Sequence, residues 1–377
     1  MSKGKIKITH VARFAKPHIG GIEAVIEQIN ESLPNEEFEK EIFCCSNTEK
    51  SSVKNDVKYK RFRYLFDFAA NSISPQLFFG MVGLKTDIIH FHMPVIQNVV
   101  IWFILYSFGL IKYKKMVVTY HSDVVGYDKV IKPFIPIYKY FLKKSDVIHV
   151  LSPNIIESSN MIKNFREKCI VIPQGISLNY NSAIEKINQI KEKFAGKKIL
   201  FSLGRHVKYK GFIYALKAMK SVENAVYLLG GSGPLKENFE EYIKENNLEN
   251  RVILLGRVSN EELESYYQSC DIYLFPSIMQ SEAFGIVQIE AMKYAKPVIN
   301  TYLNTGVNYV SIDKETGLTI TPENVEQLTE AINELINNDE LRLKYGKNAR
   351  KRVEDLFDLE KIKIQYQDLY KEILYDK

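Results

Sequence analysis

Two carboxylates flank a glycine in the segment SEAFGIVQIEAM, residues 281 to 292, where they could bind a polar ligand. Glu282 and Glu290 are separated by seven residues, and Gly285 lies between them. Apolar residues follow this glycine at helical spacing, which predicts that a helix begins here. The first N–H groups of a helix have no partner within it and attract an anion. We therefore expect an anion site with a carboxylate on each side.

The backbone N–H groups of Phe284, Gly285 and Ile286 are the candidate ligands of this anion. Glu282 lies on the loop before them, and Glu290 lies about one and a half turns into the helix. A carboxylate cannot be the charge partner of an anion, but it accepts hydrogen bonds from hydroxyl groups. The two glutamates are therefore typical of a site that binds sugars on either side of a phosphate group.

Two cations follow another apolar segment. In LGRHVKYKGF, residues 203 to 212, Arg205 and Lys210 come after a strand-like run, and Gly211 precedes a helical pattern. Arginine can bind two phosphate oxygens at once and lysine adds a compact charge, so the two residues suit a diphosphate. The alternative is ordinary surface charge on a loop.

A glycine pair, Gly20-Gly21, lies between the first strand-like segment and a helical pattern. Glycine lets the backbone approach a ligand closely, and the start of a helix favours an anion. Taken alone, such a pair more often marks only a turn.

Short apolar segments alternate with helical patterns along the whole chain. These segments are too continuously apolar to face water on one side, so they predict parallel sheets covered by helices on both faces. The predicted strands are residues 5–11, 41–46, 87–92, 116–121, 146–152 and 169–175, and then 197–204, 225–231, 252–258, 271–277 and 297–301. We therefore predict two doubly wound α/β domains, with ligands at the carboxyl ends of the strands.

The predicted first domain covers residues 1–178 and the second covers residues 190–355. A polar segment with a single glycine, residues 174–194, is the predicted linker. The amphipathic segment 356–377 has no evident partner in the second sheet, so we expect a helix that returns to the first domain.

Composition excludes several classes of protein. With 46% hydrophobic and 25% charged residues, the chain is globular, not disordered. Its four cysteines form no CxxC motif, which argues against a disulfide framework and a zinc site and favours a reducing cytoplasm. The glycines at 231 and 233 are not followed by one at 236 and lie in the second domain, so an NAD-dependent oxidoreductase is disfavoured.

Basic charge is concentrated in the first half of the chain. Residues 1–180 hold 24 Lys and Arg against 16 Asp and Glu, and the whole chain has a net charge of +6. The stretches 58–63 and 112–115 contribute to this excess. It is either a solvated surface or a docking face for an anionic membrane, where each basic residue contributes about 1 kcal/mol. No nucleic-acid-binding motif accompanies it, so we do not expect nucleic acid as a partner.

No segment is predicted to cross a membrane. The longest apolar run, residues 99–111, has 13 residues, whereas a spanning helix needs about 18 or more. We expect it to form a buried helix, and a role at a membrane surface is the alternative. The first residues show no apolar signal region, so we expect a cytoplasmic protein that can lie on the inner face of the cell membrane.

Together these segments resemble the retaining glycosyltransferases of family 4, over essentially the whole chain. The resemblance rests on the two glutamates with seven residues between them, on the preceding DIYLFPS, and on LGRHVKYKGF, LLGGSGPL, GRVSNEEL, VVTYHSD and the glycine pair. The segments HMPVIQN, YHSDVVG and LSPNIIESS more narrowly resemble enzymes of bacterial O-antigen, capsule or exopolysaccharide assembly.

The resemblance implies the GT-B fold, in which two Rossmann-like domains face each other across a cleft. It implies that the first domain binds the acceptor and that the second binds a nucleotide-sugar donor. The implied donor-binding residues are Gly20, Gly21, Arg205, Lys210, Val258, Glu282, Phe284, Gly285, Ile286 and Glu290. The implied catalytic residues are His121, Arg205, Lys210 and Glu282.

Each of these residues has an implied role. Arg205 and Lys210 hold the diphosphate, which the glycine pair approaches from the first domain. Glu290 binds the ribose, Glu282 binds the transferred sugar, and the backbone of Val258 contacts the base. His121 is the first-domain histidine near the sugar, and its alternative is a core histidine bonded to the backbone.

The sequence departs from the family pattern in two places. Where the family often has Pro-Asn-Gly followed by an aspartate, this chain has Pro173-Gln174-Gly175-Ile176-Ser177, which leaves no basis for a role of Gln174 or Ser177. No D-x-D motif occurs. Its absence fits a reaction without metal or other cofactor, in which the two cations and the helix end stabilise the leaving group.

The predicted reaction is transfer of a hexosyl residue, such as mannose or glucose, from a UDP- or GDP-sugar to a lipid-linked or growing saccharide. The resemblance implies retention of the anomeric configuration, with departure and attack on the same face and no assured nucleophilic role for Glu282. The alternatives are a nucleotide-sugar epimerase or sugar phosphorylase of the same fold, and a non-catalytic subunit that binds nucleotide sugars.

Overall fold

The computed structural model describes residues 4–18, 20–68, 71–123, 131–180 and 183–375. The chain divides into two compact units, residues 1–174 with 360–377 and residues 175–359. The predicted linker contains a helix, Ile184–Lys193, which packs against the helix Asn260–Ser269 of the second unit. In the structure the second unit thus includes this part of the predicted linker, and Ile190 of the helix is buried.

A mainly parallel sheet forms the centre of the first unit. Its strands are β1 Ile6–Val11, β2 Phe38–Cys45, β3 Ser52–Lys54, β4 Val57–Phe62, β7 Lys85–Met93, β8 Lys112–Tyr120, β9 Val147–Val150 and β10 Cys169–Val171. Their order is β10-β9-β8-β7-β1-β2-β4-β3, and among the described strands only the edge strand β3 is antiparallel to its neighbour in this sheet. A separate antiparallel hairpin consists of β5 Phe66–Phe68 and β6 Asn71–Ile73.

The second unit contains a parallel sheet of six described strands. They are β11 Lys198–Leu203, β12 Ala225–Gly230, β13 Val252–Gly256, β14 Ile272–Phe275, β15 Val298–Thr301 and β16 Gly317–Ile320. Their order is β13-β12-β11-β14-β15-β16. The chain adds β12 and β13 on one side of β11 and then adds β14, β15 and β16 on its other side, so the order of addition reverses between β11 and β14. Such a reversal marks where open α/β sheets bind ligands, at the carboxyl ends of the strands.

Helices connect and cover both sheets. In chain order they are α1 Gly21–Ser32, α2 Pro75–Met81, α3 Ile96–Ser107, α4 Ile135–Lys144, α5 Pro153–Ser158, α6 Ile184–Lys193, α7 Phe212–Ala218, α8 Lys236–Glu245, α9 Asn260–Ser269, α10 Ile286–Lys293, α11 Gly306–Val310, α12 Val325–Asn337, α13 Asp339–Leu356 and α14 Leu359–Tyr375. Short 3-10 turns lie at Lys132–Phe134, Lys163–Lys168 and Lys208–Lys210. Two Rossmann-like α/β domains were predicted, and the architecture confirms them.

The strand predictions hold where apolar runs are continuous and fail where they are not. All eleven predicted segments contain a strand, whereas β3 to β6 and β16 were not predicted as strands. The basic stretch 58–63 lies largely in β4, where Lys58 and Lys60 form ion pairs with Glu39 and Glu41 at 2.6 and 3.2 Å. Part of the basic charge of the first half is therefore neutralised within the sheet.

The apolar run 99–111 forms most of helix α3, which begins earlier, at Ile96, and ends at Ser107. Trp102 is fully buried on this helix, as the predicted buried helix requires. Phe108, just beyond its end, is 76% exposed. No helix among the described residues is both long and apolar enough to cross a bilayer.

Helix α14 returns to the first unit, as predicted. Tyr366 and Tyr370 on this helix are fully buried. Their hydroxyl groups lie 3.3 Å from Nε2 of His149 and 2.6 Å from Nδ1 of His90. The end of the chain therefore completes the core of the unit that the first residues begin.

Candidate active site

Lys210 and Glu282 form an ion pair at the carboxyl edge of the second sheet. Lys210 follows β11 and Glu282 follows β14, and these strands are neighbours. The Nζ of Lys210 lies 2.5 Å from Oε2 of Glu282, and the two side chains are only 13% and 11% exposed. Ser277 donates a hydrogen bond to the same oxygen at 3.1 Å. The structure therefore brings two predicted site residues into direct contact.

The loop before α10 presents unpaired backbone N–H groups beside this ion pair. Gly285 has a φ of +77°, and a Cβ there would lie 2.8 Å from the ring of Phe275, so glycine is required. The same ring lies 5.4 Å from Nζ of Lys210. The N–H groups of residues 284–286 meet no acceptor within the described part of the chain. They are available to an anion.

Hydrogen bonds from α11 fix this loop in place. Thr305 donates through its hydroxyl to the carbonyl of Glu282 at 2.9 Å, and the N–H of Gly306 donates to the carbonyl of Ala283 at 2.9 Å. Phe284 is buried beside them. Because the backbone is held at several points, its N–H groups are oriented before a ligand binds.

Gly211 sets the turn that positions Lys210, and we expect Gly211→Ala to destabilise the second unit. Its φ is +66°, and a Cβ would lie 1.9 Å from the carbonyl oxygen of Pro276. Gly256 has a similar φ of +70°, but a Cβ there would meet no atom within 4 Å, so Gly256→Ala is the matched control. The midpoint of thermal unfolding should fall at least about 4 °C further in Gly211→Ala. Equal midpoints would contradict the close contact.

Arg205 and Val258 occupy neighbouring loops of the same sheet edge. The side chain of Arg205 is exposed and makes no ion pair or hydrogen bond with the residues that the structure describes. A Cβ at Gly231 would lie 1.9 Å from the carbonyl oxygen of Gly204, so the two loops touch through their backbones. Val258 follows β13 and packs on Gly230. Within the described part of the chain, Arg205 is therefore a free cation, whereas Lys210 is already paired.

Glu290 lies on α10 and is bonded to a tyrosine, not to Lys210. The hydroxyl of Tyr267 donates to its Oε2 at 2.6 Å. Burial raises the pKa of Glu290 above its ordinary value, against the opposing effects of this hydrogen bond and of Lys293. Both side chains line a cavity of about 400 Å³ that Glu264 also lines. The hydrogen bond from Tyr267 fixes the carboxylate where it can accept hydrogen bonds from hydroxyl groups of a ligand in this cavity.

His121 follows β8 in the first unit, and its ring is bonded to another histidine. Its Nε2 lies 3.4 Å from Nδ1 of His92, whose Nε2 lies 3.0 Å from Nδ1 of His10. The side chain of His121 is buried, and burial lowers the pKa of His121 to about 3. The ring is therefore neutral, and among the described residues it has no hydrogen bond to the backbone, unlike the core histidine of the alternative interpretation.

The glycine pair at the start of α1 is only partly open to a ligand. A Cβ on Gly20 would lie 2.3 Å from Oε2 of Glu23, whereas a Cβ on Gly21 would meet nothing within 4 Å. The other carboxylate oxygen of Glu23 lies 3.2 Å from Nδ1 of His18. A carboxylate therefore already occupies the space beside Gly20, and Gly21 is the position that a ligand could approach.

Several residues that contact the predicted site were not anticipated. They are Glu23, His92, Tyr267, Ser277 and Thr305, and His10 is in turn bonded to His92. The histidines left a trace in the sequence, because His90 and His92 alternate along one strand and so share a face of the sheet. The hydroxyl-bearing residues gave no such signal in the sequence, because their spacing along the chain does not indicate which groups they contact.

The fold and the second-unit site define a glycosyltransferase of the GT-B type, and comparison with known families agrees. Residues 183–352 match the family model of the group 1 glycosyl transferases, and residues 19–180 match that of glycosyltransferase family 4. The chain belongs to glycosyltransferase family 4, as the sequence motifs indicated.

Relatives with assigned activities extend over nearly the whole chain. The O-antigen chain mannosyltransferase C of Escherichia coli is 30% identical over 99% of this chain and 100% of its own. The D-rhamnosyltransferase WbpZ of Pseudomonas aeruginosa is 30% identical over 90% of this chain and 88% of its own.

Solved structures share the fold at lower identity. Sucrose-phosphate synthase from Thermosynechococcus elongatus superposes with a TM-score of 0.77 and 22% identity, over 99% of this chain and 100% of its own. Anabaena HepE in complex with UDP superposes with a TM-score of 0.76 and 17% identity, over 97% of this chain and 100% of its own.

Proposed function

We propose that the protein transfers a hexosyl residue, such as mannose or glucose, from a UDP- or GDP-sugar to a lipid-linked or growing saccharide of a cell-surface polysaccharide, with retention of configuration. The observation that carries this proposal is the contact of Lys210 with Glu282 beside the unpaired N–H groups of residues 284–286. The names of the O-antigen mannosyltransferase and the rhamnosyltransferase support an acceptor of this type.

In the proposed reaction the second unit stabilises the departing nucleoside diphosphate. Lys210, Arg205 and the N–H groups before α10 bind its oxygens as negative charge develops on them. Two donors, Lys210 and Ser277, occupy Oε2 of Glu282, which makes this carboxylate a poor nucleophile and a good partner for a sugar hydroxyl. The acceptor hydroxyl then attacks the face from which the diphosphate departs, and its proton passes to the leaving oxygen.

A panel of nucleotides and nucleotide sugars tests this function. A ligand at 100 times its dissociation constant stabilises the folded state by about 2.7 kcal/mol, which thermal unfolding detects. We expect UDP or GDP and one matching sugar to raise the midpoint, and the transferred sugar to keep its anomeric configuration in the product. A non-catalytic subunit would turn over no donor, and an epimerase would convert a donor without any acceptor.

We also propose that turnover needs no divalent cation, because the two cationic side chains and the helix end supply the positive charge at the leaving group. Initial rates should be unchanged after treatment with EDTA and unchanged again when Mg²⁺ or Mn²⁺ is restored. Loss of activity with EDTA that either cation reverses would refute this part of the proposal.

We propose that the hairpin of β5 and β6 is the surface that contacts the membrane. The exposed apolar residues of this segment are Leu65, Phe66 and Phe68, at 71%, 56% and 57% exposure. Arg13, which follows β1, donates to Asp67 of the hairpin at 2.9 Å. The hairpin is thereby held at the carboxyl edge of the first sheet, where His121 follows β8. Docking there would keep the acceptor side of the site at the lipid surface.

Phe108 is another exposed aromatic residue, and its position can be compared with that of the hairpin. Phe108 precedes β8, a strand of nine residues, so it lies about 30 Å from the carboxyl edge. Binding through Phe108 would turn the proposed acceptor site away from the bilayer. The hairpin also has the exposed Arg63 beside it, whose charge complements acidic lipid.

Vesicles with and without acidic lipid test the docking. We expect binding to acidic vesicles at low salt that weakens at high salt, since screening shortens from about 10 Å at 0.1 M to about 3 Å at 1 M. The double change Phe66→Ser and Phe68→Ser should weaken binding at least about tenfold, because each buried ring contributes about 1.5–3 kcal/mol. Phe108→Ser is the matched control. Binding that is independent of salt, or equal loss in the control, would refute the docking mode.

A further inference from the structure

Five histidines of the first unit form two hydrogen-bonded chains within its core. They are His10 on β1, His90 and His92 on β7, His121 after β8, and His149 on β9. All five are buried, and burial lowers the pKa of each. A neutral imidazole has one N–H and one acceptor nitrogen, so each ring must adopt one of two tautomers.

The first chain has its direction fixed by a carbonyl group. Nε2 of His149 donates to the carbonyl oxygen of Ile172 at 2.8 Å, because a carbonyl can only accept. Nδ1 of His149 then accepts from the hydroxyl of Thr119 at 2.8 Å, and that oxygen accepts from Nε2 of His90 at 2.7 Å. Nδ1 of His90 accepts from the hydroxyl of Tyr370 at 2.6 Å. Every group in this chain has a partner.

The second chain runs from His10 through His92 to His121 and ends without a partner. Nε2 of His10 is buried and has no hydrogen bond within the described residues. Orphaned buried N–H groups are rarer than unfilled acceptors, so this nitrogen carries the lone pair and Nδ1 carries the hydrogen. Nδ1 of His10 then donates to Nε2 of His92, and Nδ1 of His92 donates to Nε2 of His121. This direction leaves the hydrogen of His121 on its Nδ1.

We propose that His10 and His92 are positioning residues that hold His121 in the Nδ1–H tautomer, so that its ring donates a hydrogen bond to an oxygen of the donor sugar. Nδ1 of His121 has no hydrogen-bond partner among the residues that the structure describes. That an oxygen of the donor sugar accepts this hydrogen bond rests on the proposed glycosyl transfer. The tautomer itself rests only on the hydrogen-bonded chain.

A metal site is the competing use of these rings. Ring nitrogens of His10, His90 and His92 lie within 4.8 Å of one another. Both nitrogens of His90 are already bonded to hydroxyl groups, and the three rings are fully or almost fully buried. A cation would have to break those hydrogen bonds and lose its water, and this group of described residues contains no carboxylate. The hydrogen-bonded chain uses the same atoms without that cost.

Nitrogen-15 NMR of the histidine-labelled protein tests the tautomer directly. Long-range proton–nitrogen correlations distinguish Nδ1–H from Nε2–H rings, and loss of one signal in His121→Gln assigns His121. We expect Nδ1–H in the unliganded protein near pH 7. An Nε2–H ring at His121, or shifts of the rings on adding Zn²⁺, would overturn the proposal. This readout needs no turnover, so a failure of the proposed function in the donor panel would be recognised separately.

Substitutions of His92 test the consequence for catalysis. His92→Leu removes the donor to His121, and we expect a mixture of tautomers and at least about a tenfold loss of kcat, with unchanged affinity for a nucleoside diphosphate. His92→Asn places an amide nitrogen near the position of Nδ1, so it should recover most of the activity. His149→Leu, in the other chain, is the control and should leave the tautomer of His121 unchanged. Equal behaviour of the two leucine variants, or no recovery with asparagine, would overturn the positioning role.

Discussion

Lys210→Ala should lower turnover of a competent donor at least about tenfold, since loss of one well-placed donor to a developing negative charge typically costs about 100- to 1000-fold. Lys210 is held in position before a ligand arrives, because its Nζ contacts Glu282 at 2.5 Å and lies over the ring of Phe275. Such a cation needs little reorganisation when a diphosphate leaves. The measurement is kcat with the donor that the panel identifies.

Lys208→Ala is the matched control for this prediction. Lys208 belongs to the same 3-10 turn but is exposed. Its loss should leave kcat close to that of the unchanged protein. Because Lys210→Ala also removes a partner of Glu282, the thermal midpoint of both variants must be measured to separate catalysis from unfolding. Near-normal turnover in a folded Lys210→Ala variant would refute the role of Lys210.

Glu290→Gln should raise the KM for the donor at least about tenfold and at the same time make the protein more stable at pH 8. Hydrogen bonds to a charged acceptor contribute about 1.5–3 kcal/mol each, and glutamine offers only a neutral oxygen. Burial raises the pKa of Glu290 above its ordinary value, so the folded protein retains a proton that the unfolded chain releases. Folding stability therefore falls as the pH rises from the unfolded pKa through the folded one, and glutamine removes the cost.

Glu264→Gln is the control for Glu290→Gln, because Glu264 lines the same cavity. It lies 3.5 Å from Nζ of Lys293, whose charge is opposite to its own, so its change should affect the KM and the stability at pH 8 less than Glu290→Gln does. Donor KM and thermal midpoints between pH 5 and pH 8 are the measurements. If Glu290→Gln binds the donor normally, the ribose role is wrong. If Glu290→Gln is no more stable than the unchanged protein at pH 8, burial of the Glu290 charge destabilises the folded state less than we infer.

The positions of strands and helix starts could be predicted because local patterns determine them. Continuous apolar runs predicted the buried strands, and Gly285 and Gly211 marked two helix starts that the structure confirms. The hairpin of β5 and β6 was missed because each of its strands has only three residues, which is too short for an alternating pattern to be recognised. The spacing of residues along the chain could not predict contacts between distant residues, such as Lys210 and Glu282, whose numbers differ by 72.

The two glutamates show the same limit within a single motif. Their spacing predicted that both would lie near one anion. The structure adds a separate partner for each, Lys210 for Glu282 and Tyr267 for Glu290, which the spacing did not predict. Tyr267 lies on a different helix, and only the packing of α9 beside α10 brings its hydroxyl to the carboxylate.

Helix α14 has a consequence for how the molecule is made. A ribosome completes residues 175–359 before it releases the tyrosines that bond His90 and His149. Domains generally fold as units during synthesis. The second unit can therefore fold before helix α14, which completes the first unit, has been synthesised. Truncation of helix α14 before Tyr366 would thus damage the part translated first.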